Sequence, residues 1–502
     1  MSVQPFGKHV TIVVFGASGD LAKKKTFPAL FGLFREGELP PTIKVIGYAR
    51  SELSDADFKE RISANFKGVN DSNKHKVDEF LNLCSYTQGQ YDTAEGFKKL
   101  NEEMEKYEKD SGVDKPERLF YLALPPSVFV TVASHIKENA YTKTGEVRLI
   151  VEKPFGNDLE SSRQLQKSLA PLFTEEELYR IDHYLGKEMV KNLVFLRFSN
   201  EFLNASWNKN HIKSIQISFK EAFGTEGRGG YFDDIGIVRD VMQNHLLQVL
   251  TLLTMERPVS IDPEAIRDEK VKVLKAFGEL QTDDILLGQY TKSEDGTKPG
   301  YLDDDTVKGD SKCVTYAALG MQIHNERWEG VPIVMRAGKA LKESKVEIRI
   351  QFKEVAKGMF NDIQRNELVM RIQPNEAVYM KINSKIPGVS AVPSVTDLDL
   401  TYSSRYSKEF WIPEAYESLI RDCYLGNHAN FVRDDELDLS WKLFTPLLQH
   451  IESKDGPTPE SYPYGSNGPK NLRPFLSDHG YNFYDEGTYE WPLTTPNVKG
   501  KM

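Results

Sequence analysis

The chain has 502 residues, enough for two to four domains that can each bury a core. Its 64 Lys and Arg against 74 Asp and Glu give a net charge of −10 with no basic arm, which disfavours a general nucleic-acid binder and confines phosphate recognition to local sites. With 39% hydrophobic and 27% charged residues, and no apolar run near the roughly 20 residues of a spanning helix, the composition predicts a globular chain outside the membrane.

In chain order, continuous apolar runs at Val10–Phe15, Ile43–Tyr48, Leu119–Leu124 and Val147–Val151 predict strands buried on both faces. Helical segments lie between them: Ala22–Arg35, Phe80–Leu83 and the polar Phe97–Lys109, which reads as a solvated outer helix. This alternation predicts a doubly wound parallel sheet. From about His211 the pattern becomes strict alternation, as in Ile215, Ile217 and Phe219, then Val346, Ile348, Ile350 and Phe352, then Val378, Met380 and Ile382. Alternation predicts a large, mostly antiparallel sheet backed by helices. The fold class is thus α/β plus α+β, with a Rossmann-type doubly wound domain over 1–180 and an α+β sheet domain over 181–502. The parallel-sheet texture is read as ended by Tyr179–Arg180. Ser293–Lys312 and the proline-rich Lys454–Lys470 read as exposed connections, and the aromatic-rich Tyr481–Trp491 as a packed terminal segment. Cys84, Cys313 and Cys423, without CxxC spacing, predict neither a disulfide framework nor a metal site. With no signal-like apolar stretch in Met1–Val10, the cytoplasm is the expected compartment.

The first chemical signal is Gly16-Ala-Ser-Gly19-Asp-Leu-Ala22, after one strand and before a helix. Gly16 permits the tight turn, Gly19 lets the backbone approach a pyrophosphate, and Ala22 allows close helix packing; a plain strand-to-helix turn is the alternative. The second strand ends in Arg50, where an NAD enzyme would place a carboxylate, so NADP is preferred over NAD unless Arg50 is an ordinary surface cation. Val151-Glu-Lys153-Pro-Phe-Gly156 puts a lysine at a strand's carboxyl end, where ligands sit in such sheets, and Pro154 is a candidate cis-proline. Arg180-Ile-Asp182-His183-Tyr184-Leu-Gly186-Lys187 concentrates acid, imidazole, phenol and amine. His183 and Lys187, four apart, share a face if the stretch is helical and could clamp one phosphate.

The segment Asp233–Arg257 contains a helix apolar nearly all round, with Arg239, Asp240, Gln243, Asn244, His245 and Gln248 embedded in it. Burying so many polar groups is costly unless they are paired or used, which favours a site over a satisfied core histidine. Asp240 and His245 are about 140° apart on an ideal helix, so the carboxylate partner of His245 is expected from elsewhere. Arg336-Ala-Gly-Lys339 and Lys345–Arg349 are read first as charge on a sheet's solvent face.

Taken together, Gly16–Ala22, Glu152–Gly156, Arg180–Lys187 and Arg239–His245, in this order, resemble the glucose-6-phosphate dehydrogenase family over essentially the whole chain, with a texture close to its fungal, eukaryotic members and no long organellar extension. The resemblance implies oxidation of glucose 6-phosphate at C1 to 6-phospho-D-glucono-1,5-lactone, the entry step of the pentose phosphate pathway, with NADP as hydride acceptor. It implies His245 as general base and Asp182 as its orienting carboxylate. It also implies a phosphate and sugar site of Lys153, His183, Tyr184, Leu185, Gly186, Lys187, Glu221, Asp240, Lys339 and Gln373. The implied cofactor site is Gly16, Ala17, Ser18, Gly19, Asp20, Leu21, Ala22, Lys23, Arg50 and Lys153. A second, structural NADP is implied at Arg336, Lys345, Arg349, Arg371, Tyr379, Lys381 and Tyr416, and a homodimer or homotetramer as the assembly. Ser344 departs from the family, where a basic substrate contact is expected.

Two other classes fit parts of the pattern. A broader Rossmann-type sugar oxidoreductase would keep Lys153 without the Arg180–Lys187 clamp, and a non-enzymatic NADP-responsive protein would keep the glycine loop without His245.

Overall fold

The computed structural model describes residues 7, 9–356, 358–360, 363–385, 388–389, 393–402, 406 and 410–483. The chain forms two compact units. Unit 1 is built on six parallel strands: β1 (His9–Phe15), β2 (Thr42–Ala49), β3 (Cys84–Gln88), β4 (Glu117–Leu122), β5 (Glu146–Val151) and β6 (Leu178–Arg180). Their order, β3-β2-β1-β4-β5-β6, is that of a dinucleotide-binding doubly wound sheet. All seven residues of β1 are buried, as a continuous apolar run requires when helices cover both faces. The helix Ala94–Asp110 is solvated, as its polarity predicts, on one face only, where Lys98, Lys99, Glu102, Glu105 and Lys106 are exposed. Phe97, Leu100 and Met104 are fully buried, and Glu108 pairs with Arg118 of β4 at 2.7 Å.

The expected boundary at 180/181 does not separate these units. Unit 1 runs to Glu188 and takes in Pro258–Val271 and Pro413–Trp441. Buried polar groups explain why. Arg148 of β5 donates to the carbonyl oxygens of Cys423 and Tyr424 at 2.6 and 2.7 Å, and Lys270 pairs with Glu436 at 2.7 Å, both side chains fully buried. These later segments supply acceptors and counter-charges that the earlier ones lack. The parallel sheet also had not ended at Tyr179–Arg180, since those residues form β6, its last strand.

Among the described residues unit 2 carries nine strands: β7 (Ile212–Lys220), β8 (Ile285–Thr291), β9 (Tyr316–Met321), β10 (Ile333–Gly338), β11 (Lys345–Phe352), β12 (Glu367–Gln373), β13 (Ala377–Lys385), β14 (Pro393–Thr401) and β15 (Glu460–Pro463). Their order is β14-β13-β12-β11-β7-β10-β9-β8-β15. Among the described residues only β7/β10 and β8/β15 pair in parallel, so the mostly antiparallel expectation holds. The buried helix predicted within Asp233–Arg257 is a π-helix, Val238–Leu246, continued by the α-helix Leu247–Thr254, every residue of which is buried. Two fully buried tryptophans fix its end: Trp207 and Trp328 donate their indole N–H groups to Leu253 O and Thr254 O at 2.9 and 2.8 Å.

Both predicted connections are more structured than their composition suggests. Within 293–312, Tyr301 is fully buried and donates to Asp233 at 2.8 Å. Within 454–470, β15 adds an edge strand to the sheet, a position where proline is tolerated. Of the terminal segment, Tyr481 is buried and hydrogen-bonds Glu367; residues 484–491 lie outside the described residues.

Candidate active site

In unit 1 the expected ligand-binding residues gather at the carboxyl ends of the parallel strands. After β1, Gly16 takes φ +78°, and its N–H and that of Ala17 both donate to Tyr48 O of β2, at 2.9 and 3.2 Å. Gly19 N–H then closes on Gly16 O at 2.8 Å, and Lys23 N–H on Gly19 O at 3.1 Å, which leads the turn into the π-helix Ala22–Thr26 and the α-helix Phe27–Glu36. A Cβ at Gly16 would collide with the Ala123 carbonyl oxygen, so only glycine fits. Ala17 and Ala22 are fully buried, whereas Asp20 is exposed and paired with Lys24, whose hydrogen bond holds the carboxyl below its usual range. Leu21 and Lys23 are half-buried.

Arg50 is exposed at the end of β2, its guanidinium 5.3 Å from the centroid of the Tyr91 ring. Ser51 Oγ lies 3.1 Å from Ser18 Oγ, and Arg61 donates to Ser18 O at 2.5 Å. Arg61 and Tyr91 were missed in the sequence. Both belong to later segments, and neither sits in a motif. Two guanidinium groups, two hydroxyls and a glycine cradle form a donor set that fits a dinucleotide bearing an extra phosphate, and therefore NADP.

After β5 come Glu152 and half-buried Lys153, and the Lys153–Pro154 bond is cis. After β6, the stretch 182–187 is a run of turns rather than a helix: Leu185, Gly186 and Lys187 N–H groups donate to the carbonyls three residues earlier. The same-face argument for His183 and Lys187 therefore fails in its premise, although the turn still keeps the segment compact. Asp182 is buried, and its Oδ1 accepts from Tyr184 N–H at 2.9 Å. Tyr184 and Leu185 are buried, Lys187 Nζ lies 4.9 Å from the centroid of the Tyr184 ring, and Gly186 packs where a Cβ would strike Ala415 O.

In unit 2, His245 is buried within the π-helix. Bonding in a π-helix runs from i to i+5, so the 140° separation of Asp240 and His245 expected for an α-helix does not apply. Lys339, just past β10, sits between two carboxylates, with Glu221 at 2.6 Å and Asp240 at 3.3 Å. Burial pulls its amine down, but Asp240 and Glu221 overcome that and hold its pKa above the ordinary lysine value. Glu221 follows β7, and Ser344 Oγ accepts from the next residue's backbone, Ala222 N–H, at 2.9 Å. Gln373 ends β12 opposite Val346 of β11.

The residues expected around a second NADP divide. Arg336, Lys345, Arg349, Arg371, Tyr379 and Lys381 all lie on strands β10 to β13. This is no solvent face: Glu347 is buried, and Arg349 bonds both Glu347 at 2.8 Å and Glu367 at 3.2 Å. Arg336 also lines a cavity of about 430 Å³ with Lys220, Lys342, Glu343, Lys470 and Arg473. Tyr416 is on the helix Ala415–Tyr424 of unit 1, with its ring 6.0 Å from that of His183 and the planes 9° apart. Position in the sequence could not reveal that this helix belongs to unit 1.

Two family models cover the chain: "Glucose-6-phosphate dehydrogenase, NAD binding domain" matches residues 13–192 and "Glucose-6-phosphate dehydrogenase, C-terminal domain" matches 194–484. The chain is 71% identical to the glucose-6-phosphate 1-dehydrogenase of Cyberlindnera jadinii, covering 99% of this chain and 100% of that protein. It is 66% identical to that of Saccharomyces cerevisiae over 98% of this chain and 97% of that one. Among solved structures, a glucose-6-phosphate dehydrogenase in complex with glucose 6-phosphate is 66% identical, with a TM-score of 0.93 over 96% of this chain and all of that one. The Mycobacterium avium enzyme is 31% identical, with a TM-score of 0.82 over 97% of this chain and all of that one. From its first parallel strand to the end of its antiparallel sheet, the chain belongs to the glucose-6-phosphate dehydrogenase family.

Proposed function

We propose that the chain oxidises D-glucose 6-phosphate at C1 to 6-phospho-D-glucono-1,5-lactone with NADP as acceptor, the first step of the pentose phosphate pathway. The observation that carries this reading is the full-length match to glucose-6-phosphate 1-dehydrogenases. The residues support it chemically. Gly16–Lys23, Arg50 and Lys153 would hold NADP, which supplies the hydride acceptor when bound. His183, Tyr184 and Lys187 bind the substrate phosphate on the turn that also presents Leu185 and Gly186. Lys339 orients sugar hydroxyls together with Glu221, Asp240 and Gln373. As hydride leaves C1 that carbon becomes electron-poor, and an imidazole nitrogen of His245 takes the hydroxyl proton. The Asp182 carboxylate orients the ring and stabilises the imidazolium that results.

The second, structural NADP is proposed for Arg336, Lys345, Arg349, Arg371, Tyr379, Lys381 and Tyr416. The assembly is proposed as a homodimer or homotetramer, a reading supported by exposed Val395 and Leu398 on the edge strand β14. No helix among the described residues is long and apolar enough to cross a membrane, and the cytoplasm is proposed as the compartment.

Turnover with glucose 6-phosphate and with glucose, each with NADP+ and NAD+, tests the reading. Glucose 6-phosphate with NADP+ should be strongly preferred. Equal rates on both sugars would point to the broader class of sugar oxidoreductases, and cofactor binding without turnover to a sensor.

A further inference from the structure

A buried carboxyl in unit 1 takes no part in the scheme above. Glu152 stands between the end of β5 and Lys153 and is 5% exposed. Its Oε1 accepts from the Tyr121 hydroxyl of β4 at 2.5 Å, and the Tyr416 phenol interacts electrostatically with the same carboxyl. The Tyr416 ring in turn lies parallel to the His183 imidazole. Gly186 rests against Ala415, so the turn carrying His183 is seated on the first residues of the helix that carries Tyr416. A buried carboxyl is costly, and burial pushes this one up to about 7. An apolar side chain of similar volume would fill the space without that cost, so the polar contacts Glu152 makes need a purpose beyond packing.

We propose that Glu152 and Tyr416 are positioning residues for the phosphate clamp: Glu152 anchors the Tyr416 hydroxyl, and the Tyr416 ring fixes the plane of the His183 imidazole. Neither contacts substrate; both act through His183. The inference rests on the assignment of His183 to the substrate phosphate.

The test compares Tyr416→Phe, Glu152→Gln, their double variant and His183→Asn, reading kcat and KM for glucose 6-phosphate and the inhibition constant of inorganic phosphate. Tyr416→Phe keeps the stacked ring and loses the hydroxyl that interacts with Glu152. It should raise KM and the phosphate inhibition constant together by about 3- to 10-fold, with kcat within about twofold. Glu152→Gln should act in the same direction, and the double variant should be little worse than the poorer single one, because both break one chain of contacts. Glu152→Gln could also loosen the β4–β5 packing, so Tyr416→Phe carries the decision and melting temperatures are measured alongside. Wild-type KM and phosphate inhibition in Tyr416→Phe, with both raised in His183→Asn, would overturn the proposal. Fully additive losses in the double variant would overturn the shared chain. If His183→Asn itself leaves both constants unchanged, the assignment of the phosphate to His183 fails first.

Discussion

Arg50 is the residue proposed to read the cofactor's 2′-phosphate, and the size of the effect of removing its side chain follows from its surroundings. The guanidinium is exposed, rests over the Tyr91 ring at 5.3 Å, and shares the loop end with the Ser18–Ser51 contact and Arg61. A hydrogen bond to a charged group contributes about 1.5–3 kcal/mol. Solvent exposure and the neighbouring Arg61 favour the lower part of that range as the net loss. Arg50→Ala should therefore raise the KM for NADP+ by about 10- to 40-fold, at about 1.4 kcal/mol per factor of ten, while the KM for NAD+ changes by less than about threefold. Arg50→Lys should fall between, because an ammonium keeps the charge but not the planar fork. Steady-state kinetics with both cofactors at saturating glucose 6-phosphate and fixed ionic strength measure the ratio directly. If kcat/KM fell by the same factor for NADP+ and NAD+, Arg50 would be supporting the loop rather than reading a 2′-phosphate.

His245→Asn should fold and bind NADP+ normally while kcat drops by about 10²- to 10⁴-fold, the range of a lost general base, and near-normal turnover would remove His245 from that role. Asp182→Asn should lower kcat as well, since the ring loses both its orienting acceptor and its charge stabilisation. Lys187→Ala should raise the KM for glucose 6-phosphate at least tenfold and leave the weak turnover of glucose nearly unchanged; equal losses on both sugars would make Lys187 structural. A pH effect on stability should come from His428, which stacks on Tyr179 of β6 at 3.9 Å and donates from Nε2 to Glu176 O, with burial driving its pKa down to about 3. The unfolded chain then binds the extra proton below about pH 6.5, so this stability is complete above that pH and is lost as pH falls toward 3, by about 2–3 kcal/mol at pH 4.5. His428→Gln should show a correspondingly smaller drop in its urea midpoint between pH 7.5 and pH 4.5, and an unchanged drop would place the acid sensitivity elsewhere.

What the sequence made legible follows from what each segment must bury. β1, β2, β4 and β5 announce themselves as continuous apolar runs because helices cover both faces, and the glycine loop is readable because one steric clash, at Ala123 O, admits no other residue at Gly16. β3, with sequence Cys-Ser-Tyr-Thr-Gln, and the three-residue β6 carry no such signal; they are strands because a neighbouring strand supplies their hydrogen bonds. The same asymmetry governs the site. Lys153, Asp182 and His183 could be found from strand-end position and local chemistry, whereas Glu152 looked like an ordinary acid until its tyrosine partners from β4 and a helix more than 260 residues later were in place. Glu347 and Arg349 alternate like a solvent face, yet they are paired and covered, because ion pairs let charged residues occupy positions that hydropathy assigns to water. Angular reasoning from spacing is only as good as the assumed helix. Val238–Leu246 is wound as a π-helix, so the geometry that seemed to separate Asp240 from His245 was that of a different helix, and the partners of such residues have to be argued from tertiary contacts such as the Lys339 pairs with Glu221 and Asp240.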